Sequence, residues 1–367
     1  MGDLRVLAIT DAADRPETGT FVGLHEAGVD LKVLLWEESA HIGWLRDAGV
    51  PYAVLKLDSK RDREGIDVIR DHIAGHGSQI LHLLRKRPIF NGLAAAKGTD
   101  ARVVLYRGIM GNVSYLNPVD WLSFLNPRVD RIICVADAVR RNFLELGGFG
   151  IHLPPERLAT IHKGHDLAWY REAPADLAEH GISAGAFVIC CVTNVRPRKG
   201  VPLFIESVRA LPVEPSLHIL LVGNGMDSAP ISQQIAVSPH KDRIHVLGFR
   251  ADAPALMAAS DVSVLPSLRR EGLPRSVIEA MAYETTPVVS DSGGNPELVE
   301  HEVSGLVVPA GDADTLGRAL RTLYEDREMC RRLGKQAKLR IATDFRLETT
   351  VAQTLALYNE LVNAEQP

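Results

Sequence analysis

The sequence has few cysteines and no cysteine motif. Its four cysteines are spread over 367 residues without the spacing of a metal site, at Cys134, Cys190, Cys191 and Cys330. This favours reduced structural thiols in a cytoplasmic protein over a zinc site or a disulfide framework. Two of the cysteines adjoin within an apolar run, so we expect them to point to opposite faces of one strand.

Long hydrophobic runs are also absent. No apolar run reaches the length of a membrane-spanning helix, and the apolar segment 4–9 has only strand length, so we expect no signal peptide. A net charge of −5 gives no basis for nonspecific nucleic-acid binding. With 46% hydrophobic and 24% charged residues, the chain is of the globular class, and its length suits two domains.

Two motifs of nucleotide-dependent enzymes are missing. No Gly-x-Gly-x-x-Gly opens the first helix, which argues against a nicotinamide-dependent oxidoreductase. No Asp-x-Asp motif lies in a loop where it could hold a diphosphate through a metal ion. We therefore expect neither a metal nor a cofactor.

The strongest signal lies in the stretch 261–312. An apolar run at 262–265 predicts a buried strand, and a polar loop at 267–272 leads into a helix with Pro274 at its first position. Pro287 limits that helix. A second strand and a tight Ser-Gly-Gly loop then precede another helix. This order of elements is the repeat of a parallel sheet.

Two carboxylates stand out in this stretch. Glu271 in the loop and Glu279 inside the helix have seven residues between them. A helical rise of about 1.5 Å per residue lets them bracket a ligand on the order of 10 Å long. Gly272 allows the backbone to approach that ligand, and the amides of the first helical turn favour phosphate. Because carboxylates accept hydrogen bonds from sugar hydroxyls, the pattern indicates a nucleotide sugar. Either glutamate alone would be explained as a solvated surface residue.

The run Glu-Gly-Leu-Pro-Arg-Ser-Val-Ile-Glu at 271–279, with Gly-Gly-Asn-Pro-Glu-Leu-Val after it, resembles the donor-binding half of retaining GT-B glycosyltransferases of family 4 (glycosyl transferases group 1). The resemblance covers nearly all of 187–309. It implies an α/β GT-B fold with two Rossmann-like doubly wound domains facing across a cleft. It also implies that Glu271, Gly272 and Leu273 contact the transferred sugar and that Glu279 binds the nucleotide ribose.

On this basis we expect three parts of the chain. An N-terminal acceptor-side domain at 1–166 precedes a donor-binding domain at 167–345, and a C-terminal helix at 346–367 packs back on the first domain. Alternation of strands with helices in the first domain is typical of a parallel doubly wound sheet. Its predicted strands include 31–36, 52–57, 79–84, 102–106 and 131–135.

The loop after the first strand of the donor domain contains three cations and a glycine before a helix, which is typical of a phosphate site. The resemblance implies that its cations bind the diphosphate and stabilise it as it leaves. Lys199 matches the family lysine. Asn194 stands where the family has arginine, so Arg196 is the nearest substitute, and we expect Arg198 to face solvent. Lys199, Arg196 and Glu271 are the catalytic candidates.

The resemblance implies two further donor contacts. The turn after the predicted strand 244–248 would border the nucleotide base through Gly248 and Arg250. In the family, a Gly-Gly loop after the first strand lies against the donor phosphates. Gly19-Thr20 stands here at the end of the polar segment 11–19, so we assign that role to Gly19. The alternative is a plain connection between a strand and a helix.

Four residues of the first domain are candidates for the acceptor side of the cleft: His82, Arg107, Asn112 and His165. His82 precedes three cations that could hold an anionic acceptor, although a solvated helix start is the favoured explanation. Arg107 and Asn112 lie at a loop after a strand, where ligands of open α/β sheets bind. Arg107 also lies where many relatives carry a histidine. His165 lies where the chain leaves the domain, and a histidine there is more often structural.

Together these features predict a hexosyltransferase-type enzyme of polysaccharide biosynthesis. It would move a sugar from a nucleoside-diphosphate sugar to a hydroxyl of a glycan or lipid-linked glycan, with retention and without metal, by electrostatic support of the diphosphate and by positioning. A sugar-nucleotide epimerase of the same fold and a non-catalytic sugar-nucleotide-binding protein are the alternatives. We expect a cytoplasmic location. A basic surface leaves open a peripheral contact with the inner face of a membrane, and its arginines are Arg128, Arg131, Arg140 and Arg141.

Overall fold

The computed structural model describes residues 4–111, 113–147 and 152–364. The chain divides into two compact units, which we call unit 1 (Met1–His165 with Phe345–Pro367) and unit 2 (Asp166–Asp344). The candidate residue Asn112 lies outside the described residues, so its role stays a prediction.

Unit 1 is built on a parallel sheet. Its strands are β1 (Arg5–Thr10), β2 (Asp30–Leu35), β3 (Tyr52–Val54), β4 (Ile80–Leu83), β5 (Arg102–Arg107), β6 (Arg131–Cys134) and β7 (Leu158–Thr160). The helices that alternate with them are α1 (Arg15–Glu26), α2 (Ile42–Asp47), α3 (Arg63–His76), α4 (Lys86–Ala95) and α5 (Asp137–Leu144). The strand order β3-β2-β1-β4-β5-β6-β7 reverses direction between β1 and β4, as in a doubly wound fold.

Unit 2 repeats this plan. Its strands are β8 (Phe187–Val192), β9 (Leu217–Val222), β10 (Ile244–Gly248), β11 (Val262–Leu265), β12 (Thr286–Ser290) and β13 (Leu306–Val308). Its helices are α6 (Val201–Ser207), α7 (Ala229–Ala236), α8 (Ala253–Ala258), α9 (Arg275–Ala282), α10 (Asn295–Leu298), α11 (Ala313–Glu325) and α12 (Arg327–Asp344). The strand order is β10-β9-β8-β11-β12-β13, so the reversal falls between β8 and β11.

The central strands of unit 2 are apolar on both faces because helices cover both sides of the sheet. In β8, Phe187, Ile189 and Cys191 join one core cluster, whereas Cys190 joins the cluster on the other face. This confirms the prediction that the adjacent cysteines point to opposite faces. All four cysteines are buried thiols outside any disulfide.

The last helix, α13 (Leu347–Asn363), belongs to unit 1. Its residues Leu357, Tyr358 and Leu361 lie in the same core cluster as Phe21 of α1. The two helices approach closely at Gly23, where an added Cβ would lie 2.6 Å from Val351 Cγ2. The C-terminal helix therefore completes the hydrophobic core of unit 1. No described helix is both long enough and apolar enough to cross a bilayer.

One local prediction for unit 1 is wrong and another is confirmed. The polar segment 11–19 is not a loop throughout, because Asp14 caps α1: its carboxylate accepts from Glu17 N at 3.0 Å, and its own N–H donates to Glu17 Oε2 at 3.2 Å. Gly19 consequently lies inside α1 and is buried. The cations after β4 are exposed at the start of a helix, as the alternative of a solvated helix start expects. Helix α4 starts at Lys86, directly after Arg85, whose φ is +70°.

Candidate active site

A cavity of about 520 Å³ lies in unit 2 beside the point where the strand order reverses. Ligands of open α/β sheets bind at this point, outside the carboxyl ends of the strands. The loops that follow β8 and β11 supply most of the polar side chains that line the cavity. Its charged lining residues are Arg196, Arg198, Lys199, Arg250, Arg275, Glu271 and Glu279.

These two loops pack backbone against backbone. Gly200 has φ +68°, and an added Cβ there would lie 2.0 Å from the carbonyl oxygen of Pro266. Nearby, Leu268 N donates to Arg198 O at 2.8 Å. Only glycine fits this close approach, and the approach brings the cations of one loop to the carboxylate of the other.

Glu271 is the centre of the resulting charge cluster. Its side chain is 6% exposed, and its Oε1 accepts from Lys199 Nζ at 2.7 Å and from Ser267 Oγ at 2.6 Å. Arg198 Nη1 lies 3.5 Å from the same oxygen. The expectation that Arg198 faces solvent is therefore wrong. Arg196 lines the cavity but is exposed.

The Ser-Gly-Gly loop after β12 holds the backbone of Glu271 from the other side. Gly294 N donates to Glu271 O at 3.3 Å. An added Cβ on Gly293, whose φ is +62°, would lie 2.1 Å from that same oxygen. Ser290 Oγ also donates to the carbonyl of Ser267. The glycine pair thus positions the glutamate, a supporting role that sequence reasoning missed.

Glu279 lies on α9 and faces the same cavity as Glu271. It is 8% exposed, so it is not a solvated surface residue. Its Oε1 accepts from Arg275 Nε at 2.6 Å, and the Arg275 side chain is 74% exposed. Pro274 precedes α9 as its N-cap instead of occupying the first helical position. The two glutamates of the sequence motif therefore line one space.

The turn after β10 forms another part of the cavity wall. Gly248, with φ +64°, accepts from Gly223 N at 2.6 Å. Arg250 lines the cavity, and its guanidinium donates to both carboxylate oxygens of Asp252, at 2.7 and 2.6 Å. Phe249 also lines the cavity and is 70% exposed. An aromatic ring this exposed is unusual, and sequence reasoning missed it.

The candidates of unit 1 occupy different environments. His82 is in the core, where its Nδ1 is hydrogen-bonded to Tyr358 Oη at 2.6 Å, and burial lowers its pKa to about 3. His165 is also buried, and its backbone N–H donates to Phe345 O at 2.7 Å. Both histidines are buried inside unit 1. This contradicts the expectation that their side chains contact the acceptor.

Arg107 organises the loop that follows β5. Its Nε donates to Ile109 O at 2.9 Å, and its Nη2 donates to the carbonyl of Gly111. The guanidinium also lies 4.8 Å from the ring centroid of Phe124. Arg107 borders a cavity of about 460 Å³ in unit 1, so it shapes a pocket wall.

A buried ionic cluster in unit 1 was not predicted. Lys163, after β7, donates to Asp14 Oδ2 at 2.7 Å and to Glu17 Oε1 at 3.2 Å. Arg85, after β4, donates to Glu17 Oε2 at 2.8 Å. Glu17 is only 5% exposed. The cluster gathers side chains from the carboxyl ends of separate strands, and no local pattern in the sequence links them.

Within the described ranges, no group of three or more His, Cys, Asp or Glu side chains is arranged to hold a metal ion. The positive charge beside Glu271 and Glu279 comes from lysine and arginine side chains. These groups can bind a diphosphate directly.

Residues 173–340 match the family model described as glycosyl transferases group 1. The matched segment contains the cavity-lining Lys199, Glu271 and Glu279. The match covers 168 of the 367 residues of the chain and lies within unit 2.

Two curated proteins that resemble this chain are named as sugar transferases. The UDP-Gal:α-D-GlcNAc-diphosphoundecaprenol α-1,3-galactosyltransferase of Escherichia coli is 29% identical over 253 residues, which cover 66% of this chain and 63% of that protein. The MMP α-(1→4)-mannosyltransferase of Mycolicibacterium hassiacum is 34% identical over 212 residues, which cover 57% and 49%. The alignments thus span from about half to just under two thirds of these relatives.

Two solved structures resemble this chain over nearly its whole length. Anabaena Alr3699/HepE in complex with UDP has a TM-score of 0.79 at 22% identity, covering 97% of this chain and 100% of that one. A glycosyltransferase from Rickettsia africae ESF-5 has a TM-score of 0.82 at 15% identity, covering 100% of both chains. At these identities the likeness shows the fold, which is the α/β GT-B fold.

Proposed function

We propose that this protein is a group 1 glycosyltransferase that transfers a hexosyl unit from a nucleoside-diphosphate sugar to a hydroxyl of a glycan or lipid-linked acceptor. The transfer proceeds with retention and without a metal ion. The observation that carries the proposal is the meeting of Lys199, Arg198, Glu271 and Glu279 around one cavity of unit 2. Two cations and two carboxylates in one space match a ligand with hydroxylated rings on either side of a diphosphate.

The cations bind the diphosphate. Lys199 is 15% exposed at its side chain and is held by Glu271, while Arg198 approaches the same carboxylate at 3.5 Å. Both charges are therefore held in position by a protein carboxylate. Fixed charges that face a developing negative charge stabilise the transition state without reorganising. Arg196 lines the same cavity and adds a third positive charge.

The carboxylates bind hydroxyl groups. The hydrogen bonds to Glu271 go to Oε1, which leaves Oε2 to accept from the transferred sugar. Glu279 accepts from the ribose, and the exposed Arg275 side chain moves aside when the donor binds. Phe249 offers a stacking surface for the base beside the Gly248 turn. Gly272, Leu273 and Arg250 keep the donor-side roles that the resemblance assigns to them, whereas Gly19 is buried inside α1 and is not available for a phosphate contact.

Relatives support transfer over the alternatives. The Escherichia coli relative is named for a UDP-galactose donor and a diphosphoundecaprenol-linked acceptor, and the solved Anabaena structure holds UDP. Further relatives are named as mannosyltransferases of lipopolysaccharide core biosynthesis. An epimerase or a protein that only binds the nucleotide sugar finds no such support.

A ligand panel tests the proposal. UDP-, GDP-, ADP- and CDP-sugars are added, in the presence of a chelator, to wild type, Glu279→Gln and the control Glu328→Gln, which changes an exposed glutamate of α12. At one hundred times its dissociation constant, a bound donor stabilises the fold by about 2.7 kcal/mol. We expect one nucleotide class to raise the Tm of wild type and the control but not of Glu279→Gln. Equal shifts in all three proteins would overturn the donor site.

Transfer itself is measured with the donor class found in that panel. The protein is incubated with glycan and lipid-linked acceptors in the same chelator, and the anomeric configuration of the product is read by NMR. We expect product with the configuration of the donor. Donor binding with hydrolysis alone, or with epimerised donor, would overturn transfer in favour of one of the alternatives.

A further inference from the structure

Unit 1 presents two lysines whose charges face each other without a carboxylate between them. Lys60 precedes α3, and Lys86 opens α4. The pKa of Lys60 is lowered, first by the positive charge of Lys86 and also by a side-chain contact with it. Lys60 Nζ also lies 5.2 Å from the ring centroid of Phe90. In the described part of the chain, neither lysine forms an ion pair with a carboxylate.

The carboxylates near the lysine pair interact with other partners. Asp62 caps α3, accepting from Gly65 N at 3.0 Å and from Asp58 N at 3.0 Å. Glu17 is bound by Arg85 and Lys163. Asp11 lies near Arg87 and Arg85, whose charges partly offset the burial that raises its pKa. The positive charge of the lysine pair is therefore left for a ligand.

Two cavities meet at this pair. The first is about 680 Å³ and is lined by Lys60 and Arg61. The second is the cavity of about 460 Å³ that also contains Lys86. Phe90 lines both, so the lysine pair and the ring form their common border.

The same two cavities have apolar walls that are open to solvent. Leu122 lines the first and is 43% exposed. Ile109 and Val119 line the second and are 46% and 40% exposed. Exposed aliphatic side chains that share a cavity with cations suit a ligand with an aliphatic part and an anionic part.

We propose that this surface binds the acceptor and that the acceptor is an anionic amphiphile. Its phosphate or diphosphate lies between Lys60 and Lys86, and its aliphatic chain lies along Ile109, Val119 and Leu122. A glycan without phosphate would leave the lysine pair uncompensated, and a phosphate without an alkyl chain would leave the apolar walls in water. The inference rests on the proposed function only in naming this ligand the acceptor.

Calorimetric titration of the full chain with a monomeric probe tests the site. The probe is octyl phosphate below its critical micelle concentration, compared with octyl glucoside and inorganic phosphate. The variants are the double substitution Lys60→Ala/Lys86→Ala, the charge-matched control Lys241→Ala/Lys335→Ala in unit 2, and Leu122→Ser. We expect octyl phosphate to bind wild type and the control about tenfold or more tightly than the lysine variant, because each lost charged contact weakens binding.

The remaining ligands and the Leu122→Ser variant distinguish an amphiphile site from other kinds of site. Leu122→Ser should weaken octyl phosphate and leave inorganic phosphate unchanged, and octyl glucoside should bind least. Equal binding of octyl phosphate to wild type and the lysine variant would overturn the site. Inorganic phosphate as tight as octyl phosphate would reduce it to a plain anion site. Binding to phosphatidic acid vesicles without binding to monomeric octyl phosphate would replace it with a membrane-docking surface.

A separate measurement of donor binding distinguishes failure of the amphiphile site from failure of the proposed function. The nucleotide-induced rise in Tm should be the same in the lysine variant as in wild type, because the donor cavity lies in unit 2. If no nucleotide raises the Tm of wild type, the proposed function fails, and the octyl phosphate titrations still decide whether the amphiphile site exists.

Discussion

Lys199 Nζ lies 2.7 Å from Glu271 Oε1, although 72 positions separate the two residues in the chain. One comes from the loop after β8 and the other from the loop after β11, the two strands at which the sheet order reverses. The lysine that would meet the donor diphosphate is therefore oriented by the glutamate that would meet the donor sugar.

Replacement of Lys199 should reduce transfer far more than it reduces stability. In Lys199→Met the apolar stem is kept, and Glu271 keeps its bond from Ser267, but the charge that faces the diphosphate is lost. We expect kcat to fall about 10²- to 10³-fold, as for removal of one preorganised electrostatic group. Initial rates with the donor found in the ligand panel measure this. A rate equal to that of the control Lys241→Met would refute the role.

The glycines that bring the active-site loops together should resist substitution. Gly200→Ala and Gly293→Ala place a Cβ 2.0 and 2.1 Å from backbone oxygens, whereas Gly181→Ala, at φ +70°, meets nothing within 4 Å. Gly181→Ala should cost only the left-handed strain, about 1 kcal/mol. The other two should cost on the order of 3 kcal/mol or more. Urea unfolding gives the three values, and equal values would show that the loops relax freely.

The stability of the protein should depend on His82 at mildly acidic pH. Burial lowers the pKa of His82 to about 3, so between its ordinary pKa and this value the unfolded chain takes up a proton that the folded chain does not. Stability should therefore be unaffected above the ordinary pKa and fall as the pH decreases below it, by about 1.4 kcal/mol per pH unit from this site.

His82→Asn removes this titration and keeps an acceptor for Tyr358. Unfolding free energies measured from neutral pH down to about pH 4 should show a shallower slope for His82→Asn than for wild type. The control His152→Asn, at an exposed position, should keep the wild-type slope. Identical slopes for all three proteins would contradict the prediction.

At Arg85 we expect the backbone conformation to destabilise the fold and the side chain to stabilise it. Its φ of +70° and ψ of 167° belong to a region that is nearly exclusive to glycine, while its side chain binds Glu17. Arg85→Ala loses the ion pair and keeps the strain, whereas Arg85→Gly loses the ion pair and relieves the strain. We expect the glycine variant to be more stable by about 1–2 kcal/mol. The reverse order in urea unfolding would show that the backbone there is unstrained.

The sequence could predict those parts of the fold and of the site that residues close together in the chain determine. The strands at 217–222 and 262–265 appear with the expected bounds, because apolar runs between turn residues leave few alternatives. Glu271, Glu279 and Lys199 were found because their neighbours along the chain determine where they point. Each lies directly after a buried strand or on a helix whose apolar face is evident.

The remaining features depend on partners that are distant in the sequence. His82 is a core residue because Tyr358, 276 positions away, bonds to it. Arg198 faces Glu271 because Gly200 allows the second loop to touch the first. Arg85, at the start of α4, binds Glu17, which is 68 positions away in the chain. The pattern of apolar residues within one segment carries no information about such contacts.

Because of helix α13, the folding of unit 1 depends on a segment that is synthesised after unit 2. It contributes Leu357, Tyr358 and Leu361 to the core of the unit that is translated first. The ribosome must therefore finish all of Asp166–Asp344 before the earlier unit can close its core, while that later segment is continuous and can fold as it emerges. A premature stop codon before position 357 would consequently leave Phe21 and His82 without their packing partners in α13.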